Sequence, residues 1–180
     1  MSCITEILKL KGDKEVLLSL DEDGKPWIAV EGGGKYKDYE YLIVLNHQGH
    51  RCGYIAIKPE HPANNIKPVF DPFLQKERFN YDALDIDCHG GLTFGGSNHG
   101  LKDLLSTSCT DNWIGFDCGH IGDLCDVEAF TKYFGEEERK KKQYFFDAMN
   151  YDFGIRSIKN FVYVETECKC IIDQLIEQAA

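Results

Sequence analysis

No run in the sequence approaches the roughly 18 consecutive apolar residues that a membrane-spanning helix needs. The opening Met1-Ser2-Cys3-Ile4-Thr5-Glu6 lacks the basic stretch and apolar core of an export signal. The expectation is a protein with no membrane partner that stays in the cytoplasm of the cell that makes it. Several signatures are also missing. There is no Cys-x-x-Cys, no His-Glu-x-x-His, and no Gly-x-Gly-x-x-Gly opening a helix. Positive charge is scarce: 20 Lys and Arg stand against 30 Asp and Glu, a formal charge of −10. Phosphate backbones repel such a surface, so direct binding of free nucleic acid is disfavoured and a basic partner is favoured.

What is present reads as a folded domain. In 180 residues, 43% hydrophobic and 12% aromatic content is enough for one core. Eight cysteines might suggest a disulfide scaffold. A chain of this length without an export signal does not need one, and Cys52 and Cys168 lie in apolar settings that suit small buried hydrophobes. Reduced cysteines are expected.

The first 60 residues or so read as strands and turns. Val16 to Leu20 and Trp27 to Val30 flank Asp21-Glu22-Asp23-Gly24-Lys25-Pro26, a hairpin. Gly32-Gly33-Gly34 is expected to break the chain before strands at Tyr39 to Leu45 and Tyr54 to Ile57, which are joined by the turn Asn46 to His50. Four of the five prolines fall in residues 58–82, an irregular surface loop. Strands are expected at Ile86 to Phe94 and Trp113 to Cys118, with one or two short helices in 127–149. A final helix should begin at Ser157 as N-cap, its apolar stripe running from Ile158 to Ile176. The fold class is α+β: one domain over 1–180, with a hairpin-rich extension (1–45) and a core (46–180). A mainly antiparallel sheet carries the C-terminal amphipathic helix.

The chemistry is concentrated between Asp85 and Asp126. Apolar runs end in Asp87-Cys88-His89 and in Asp117-Cys118-Gly119-His120, followed by Asp123. If both runs are strands, their polar ends meet at one rim, with Asp87 and His89 on the same face. Three readings stay open. Asp87, His89, Asp117, His120 and Asp123 could hold a divalent metal (Zn²⁺, Mn²⁺ or Mg²⁺) that activates water for attack on a phosphodiester, with Asp87, His89, Asp117 and His120 as the catalytic groups. The same residues could instead pin the glycine turns without any substrate. A cysteine–histidine nucleophile, Cys118 with His89 or Cys88 with His120, is the third. His47 and His50 flank a turn and are expected in solvent; His61 and His99 are not singled out.

Cys52-Gly53-Tyr54-Ile55-Ala56-Ile57 with His61-Pro62, then Asp87 to Phe94, then Trp113 to Asp123, then Tyr163-Val164-Glu165-Thr166-Glu167-Cys168 resemble, in that order, a family of small proteins common in phages and prophages. The resemblance covers roughly residues 50–178 and leaves the first 45 or so unmatched. It implies an accessory protein of a mobile element. Short acidic proteins of that kind include inhibitors of bacterial immunity, among them anti-CRISPR proteins that block Cas9. The implied function is counter-defence against a Cas9-type nuclease or its guide RNA complex. Asp21, Glu22 and Asp23, with the run Glu136-Glu137-Glu138, are the acidic groups expected to meet the partner. The alternative is a metal-dependent hydrolase, or a sequestering sponge, for nucleotides, cyclic nucleotides or RNA at the Asp/His rim.

Overall fold

A computed structural model describes residues 3–73, 75–96, 101, 104, 112–151 and 156–179. Its frame starts from two turns that the chain closes with its own side chains. Asp21 Oδ1 accepts the backbone N–H groups of Asp23 and Lys25 at 2.9 and 2.8 Å. This fixes the hairpin between β1 (Leu17–Leu20) and β2 (Pro26–Tyr36). Asn46 Oδ1 does the same for Gln48 and His50, closing β3 (Tyr39–Asn46) onto β4 (Arg51–Ala56). Each is a local bond from a short polar side chain to the backbone it turns.

Gly32-Gly33-Gly34 does not break the chain. β2 continues through it in register with β3, after a bulge between Val30 and Gly32. The long-range ladder overrides the weak strand preference of glycine, and missing side chains make room for the next layer. A Cβ on Gly32 would lie 3.1 Å from the Phe161 ring.

β8 (Trp113–Asp117) pairs with β4, and β7 (Phe94–Gly96) completes an antiparallel sheet in the order β1-β2-β3-β4-β8-β7. Alternation along β3 sorts the core. Leu42 and Val44 face α1 (Cys3–Lys11), packing with Ile4, Ile7 and Trp113. Tyr41 and Ile43 face α5 (Phe161–Gln178), packing with Val164, Cys168, Ile171, Ile172 and Leu175. Leu45 joins Ala29 against Phe130, Phe134 and Phe146 of α2 (Val127–Phe134) and α4 (Gln143–Met149), with α3 (Glu136–Lys141) between those helices. The protein is thus an α+β fold with its C-terminal amphipathic helix on the sheet. Among the described residues no helix is long and apolar enough to cross a membrane.

Other expectations change. α1 replaces a strand-only N-terminus, because Ile4 and Ile7 share a helical face that the sheet buries. α5 is capped by Asn160, whose side chain accepts the Tyr163 N–H at 2.9 Å. Ser157 is instead held in a parallel bridge with Asp123, and its carbonyl accepts the Leu124 N–H. The proline-rich loop folds a small hairpin, β5 (Val69–Asp71) with β6 (Lys76–Arg78). Six described cysteines are free, but Cys3 is disulfide-bonded, against the expectation that all are reduced.

Candidate functional site

Residues 86–93 are not a strand. The stretch from Asp85 to His89 is an extended strap laid antiparallel along α5 and fastened by one polar stripe of that helix. Gln178 donates to the Asp85 carbonyl at 2.9 Å. The Gln174 amide both accepts the Asp87 N–H and donates to the Asp87 carbonyl, each at 2.7 Å. Glu167 accepts the His89 N–H at 2.9 Å, and the Tyr163 hydroxyl lies 3.0 Å from His89 Nδ1. Positions 163, 167, 174 and 178 recur at helical spacing on one face. A helix supplies the partners that a neighbouring strand would have supplied.

The strap ends in Gly90 and Gly91, both at positive φ (67° and 82°). This turn lies on the loop that follows β8. A Cβ on Gly90 would fall 1.9 Å from His120 Nε2, so only glycine fits. Below it, Asp123 joins the two motifs: its Oδ2 lies 2.7 Å from His89 Nε2 and accepts the His120 N–H at 3.1 Å. Asp123 is 3% exposed, and its other oxygen is 3.8 Å from Lys159 Nζ. Asp117 Oδ1 accepts the Gly119 N–H at 2.9 Å and lies 3.8 Å from His120 Nε2. In the neutral ring that donates Nε2–H to Asp123, His89 Nδ1 accepts the Tyr163 hydroxyl, and both nitrogens are spent.

Of the predicted residues, His89, Asp117, His120 and Asp123 therefore come together. Asp87 does not join them: its backbone is clamped by Gln174 and its side chain is exposed. No group of three or more His, Cys, Asp or Glu side chains among the described residues is placed to hold a metal ion. The Zn²⁺, Mn²⁺ or Mg²⁺ set of Asp87, His89, Asp117, His120 and Asp123 thus has no ligand geometry, since its members are turned toward backbone donors and one another. The cysteine–histidine pairs fare no better. Cys118 is 2% exposed, and burial, reinforced by Asp123, pushes its thiol far above the ordinary range. Burial and Glu167 push Cys88 up to about 11. Neither is a thiolate near neutral pH.

Three histidines depart from the sequence reading or went unplaced by it. His50 is 3% exposed, with Nε2 3.4 Å from Cys125 Sγ and Nδ1 buried without a hydrogen bond. Burial holds its pKa below the ordinary value, against the opposing pull of Asp123 and Asp117. His47 stacks on Trp27 with ring centroids 3.6 Å apart. His61 accepts the Ala63 N–H through Nδ1 at 3.0 Å, so its Nε2–H donates to the Leu175 carbonyl at 2.8 Å. His99 lies outside the described residues. Sequence reasoning missed the α5 stripe of Tyr163, Glu167, Gln174 and Gln178. The available signal was a polar row beside the apolar one.

The acidic groups are unequal. Asp21 is committed to its turn and Asp23 lies 3.5 Å from Lys25, which leaves Glu22 exposed and unpaired at the tip. Glu136, Glu137 and Glu138 pair with Arg139, Lys140 and Lys141 three residues on, so that run is locally neutral. Exposed carboxylates without a side-chain hydrogen bond or ion pair among the described residues include Asp13, Glu22, Glu60, Glu77, Asp85, Asp87 and Glu177, and Asp85, Asp87 and Glu177 lie together on or beside the strap. No known family model, curated protein or solved structure matches the chain.

Proposed function

We propose that the protein acts by binding rather than by catalysis. In this reading it is a phage-derived counter-defence protein that occupies a basic, nucleic-acid-holding surface of a bacterial immune effector, the Cas9–guide RNA complex being the leading partner. The observation that carries it is the division of labour among the acids: Asp123 is buried on His89 and the His120 backbone and Asp117 is spent on the Gly119 N–H, while Asp85, Asp87 and Glu177 face outward unpaired. With a charge of −10, such a surface competes for a channel built to hold phosphates. The test is co-elution with a Cas9–guide complex, read together with inhibition of target cleavage. Binding at low ionic strength is expected, weakened about tenfold or more when Glu22→Gln, Asp85→Asn, Asp87→Asn and Glu177→Gln are combined. Absence of co-elution at low salt overturns the proposal.

One observation favours a second reading. His120 Nε2, 3.8 Å from Asp117, is buried under the Gly90 turn without a hydrogen bond, and a nucleotide or cyclic nucleotide that displaced this turn would supply the missing partner. Native mass spectrometry of the purified protein, followed by a hydrolysis assay with Asp117→Ala, separates a sponge from a hydrolase. A mass equal to the bare chain counts against both.

A further inference from the structure

We infer that the stacked pair Trp27 and His47 is a docking platform for an arginine side chain of a protein partner. The pair lies at the end of the sheet that carries the β1–β2 and β3–β4 turns, since Leu20 is opposite Pro26 and Ile28 opposite Asn46. The rings are 16° from parallel, which fixes both in one orientation. Trp27 nevertheless keeps 39% of its surface in solvent, and the neighbouring Leu20 keeps 46%.

The surroundings decide what such a platform receives. The turn leading into Trp27 carries Glu22 and Asp23, both exposed, and Glu22 has no ion-pair partner among the described residues. On the other side, the Lys142 ammonium donates to the His47 carbonyl and keeps its charge, so the Trp27 side, next to the acidic turn, is the one that favours an incoming cation. Burial, and next the charge of Lys142, hold the His47 imidazole below its ordinary range, so the stack is uncharged at neutral pH. An uncharged indole–imidazole stack on a turn that carries the unpaired Glu22 carboxylate suits a planar cation. Guanidinium lies flat on an aromatic face and bonds carboxylates through its rim, whereas an ammonium does neither as well. A nucleobase would stack equally well on the indole, but its phosphate would meet Glu22 and Asp23, which disfavours RNA here.

The inference deepens the binding reading above and rests on it only for the partner's identity. Its test therefore uses no Cas9. Trp113 is fully buried, so Trp27 is the solvent-facing one of the two tryptophans and reports binding by fluorescence. Titration with an arginine-rich nonapeptide should perturb that emission, and a lysine peptide of equal length and charge should bind about 5- to 10-fold more weakly. In calorimetry, Trp27→Ala should abolish the preference for arginine, and Glu22→Gln should weaken both peptides. Equal affinity for the two peptides, wild-type binding by Trp27→Ala, or tighter binding of a single-stranded RNA oligonucleotide each overturns the inference. If Trp27→Ala fails to fold, peptide-induced NMR shifts on the native protein decide. Shifts centred on the Trp27 indole and His47 sustain the platform, and shifts elsewhere sink it. Peptide binding without Cas9 binding would leave the platform standing and remove the counter-defence reading. Cas9 binding without any preference for the arginine peptide would do the reverse.

Discussion

At the scale of single residues, the most constrained charge is one to which the sequence draws no attention. Arg51 is 7% exposed and donates through Nε and Nη2 to Glu31, at 2.7 and 2.9 Å, and through Nη1 to Asp126 at 2.7 Å. Asp126 also caps α2, accepting the Ala129 N–H at 2.9 Å. One guanidinium thus ties β2, β4 and the start of α2 together. Removing it leaves two carboxylates facing each other away from water, a situation that costs about 3–5 kcal/mol. Arg51→Met should lower the free energy of urea unfolding by that amount, and Arg51→Lys should recover only part, since an ammonium cannot make the paired bonds. A loss below about 1 kcal/mol would mean that the carboxylates find water or protons cheaply.

At the scale of elements, the strap shows how a segment can be held in place without being a strand. Residues 86–93 have the apolar content of a β-run, and only Phe94 to Gly96 enter the ladder. Asp85 to His89 are fastened through side chains of α5, and Thr93 donates to the Gly115 carbonyl of β8 at 2.9 Å. Gln174→Ala deletes both bonds to the Asp87 backbone, which solvent then replaces, so the global cost is small, about 1 kcal/mol. The local consequence is larger. Amide hydrogen exchange at Asp87 and His89 should accelerate well before that of β3 and β4, because a fastened strap opens independently of the sheet. Unchanged exchange at those two amides would show that Gln174 does not hold the strap. The same contrast explains the helix start. Ser157 and Asn160 are both competent N-caps by residue type, but the bridge of Ser157 to Asp123 commits it elsewhere.

At the scale of the whole molecule, one buried and one half-buried histidine tie stability to pH. His50 and His47 are both held below the ordinary imidazole value of 6.5, by burial first in each case. As pH falls through about 6.5, the unfolded chain takes up protons that the folded chain refuses, so folding stability drops. Well above that value neither state binds the proton, and the contribution is level. The thermal midpoint should therefore decline between about pH 7.5 and pH 5.5, with a shallower slope in His50→Asn than in the native protein. A flat or rising midpoint, or an identical slope in the variant, would refute the linkage.

What the sequence alone determined is whatever physics acts within a few residues. The hairpin turns follow from Asp21 and Asn46 bonding the backbone beside them, and α5 follows from an apolar stripe with helical period. The net acidity follows from composition. The tertiary structure alone decided which of the Asp and His residues meet. His89 lies 74 residues from Tyr163 and 34 from Asp123, and His50 lies 75 from Cys125. It also decided that three glycines continue a strand and that Asp87 turns outward from the rim at which its sequence position places it. Such outcomes depend on partners brought together by burying the sheet's two faces. No local preference encodes them, because hydrogen-bond satisfaction in a buried loop is settled by what the core delivers to it.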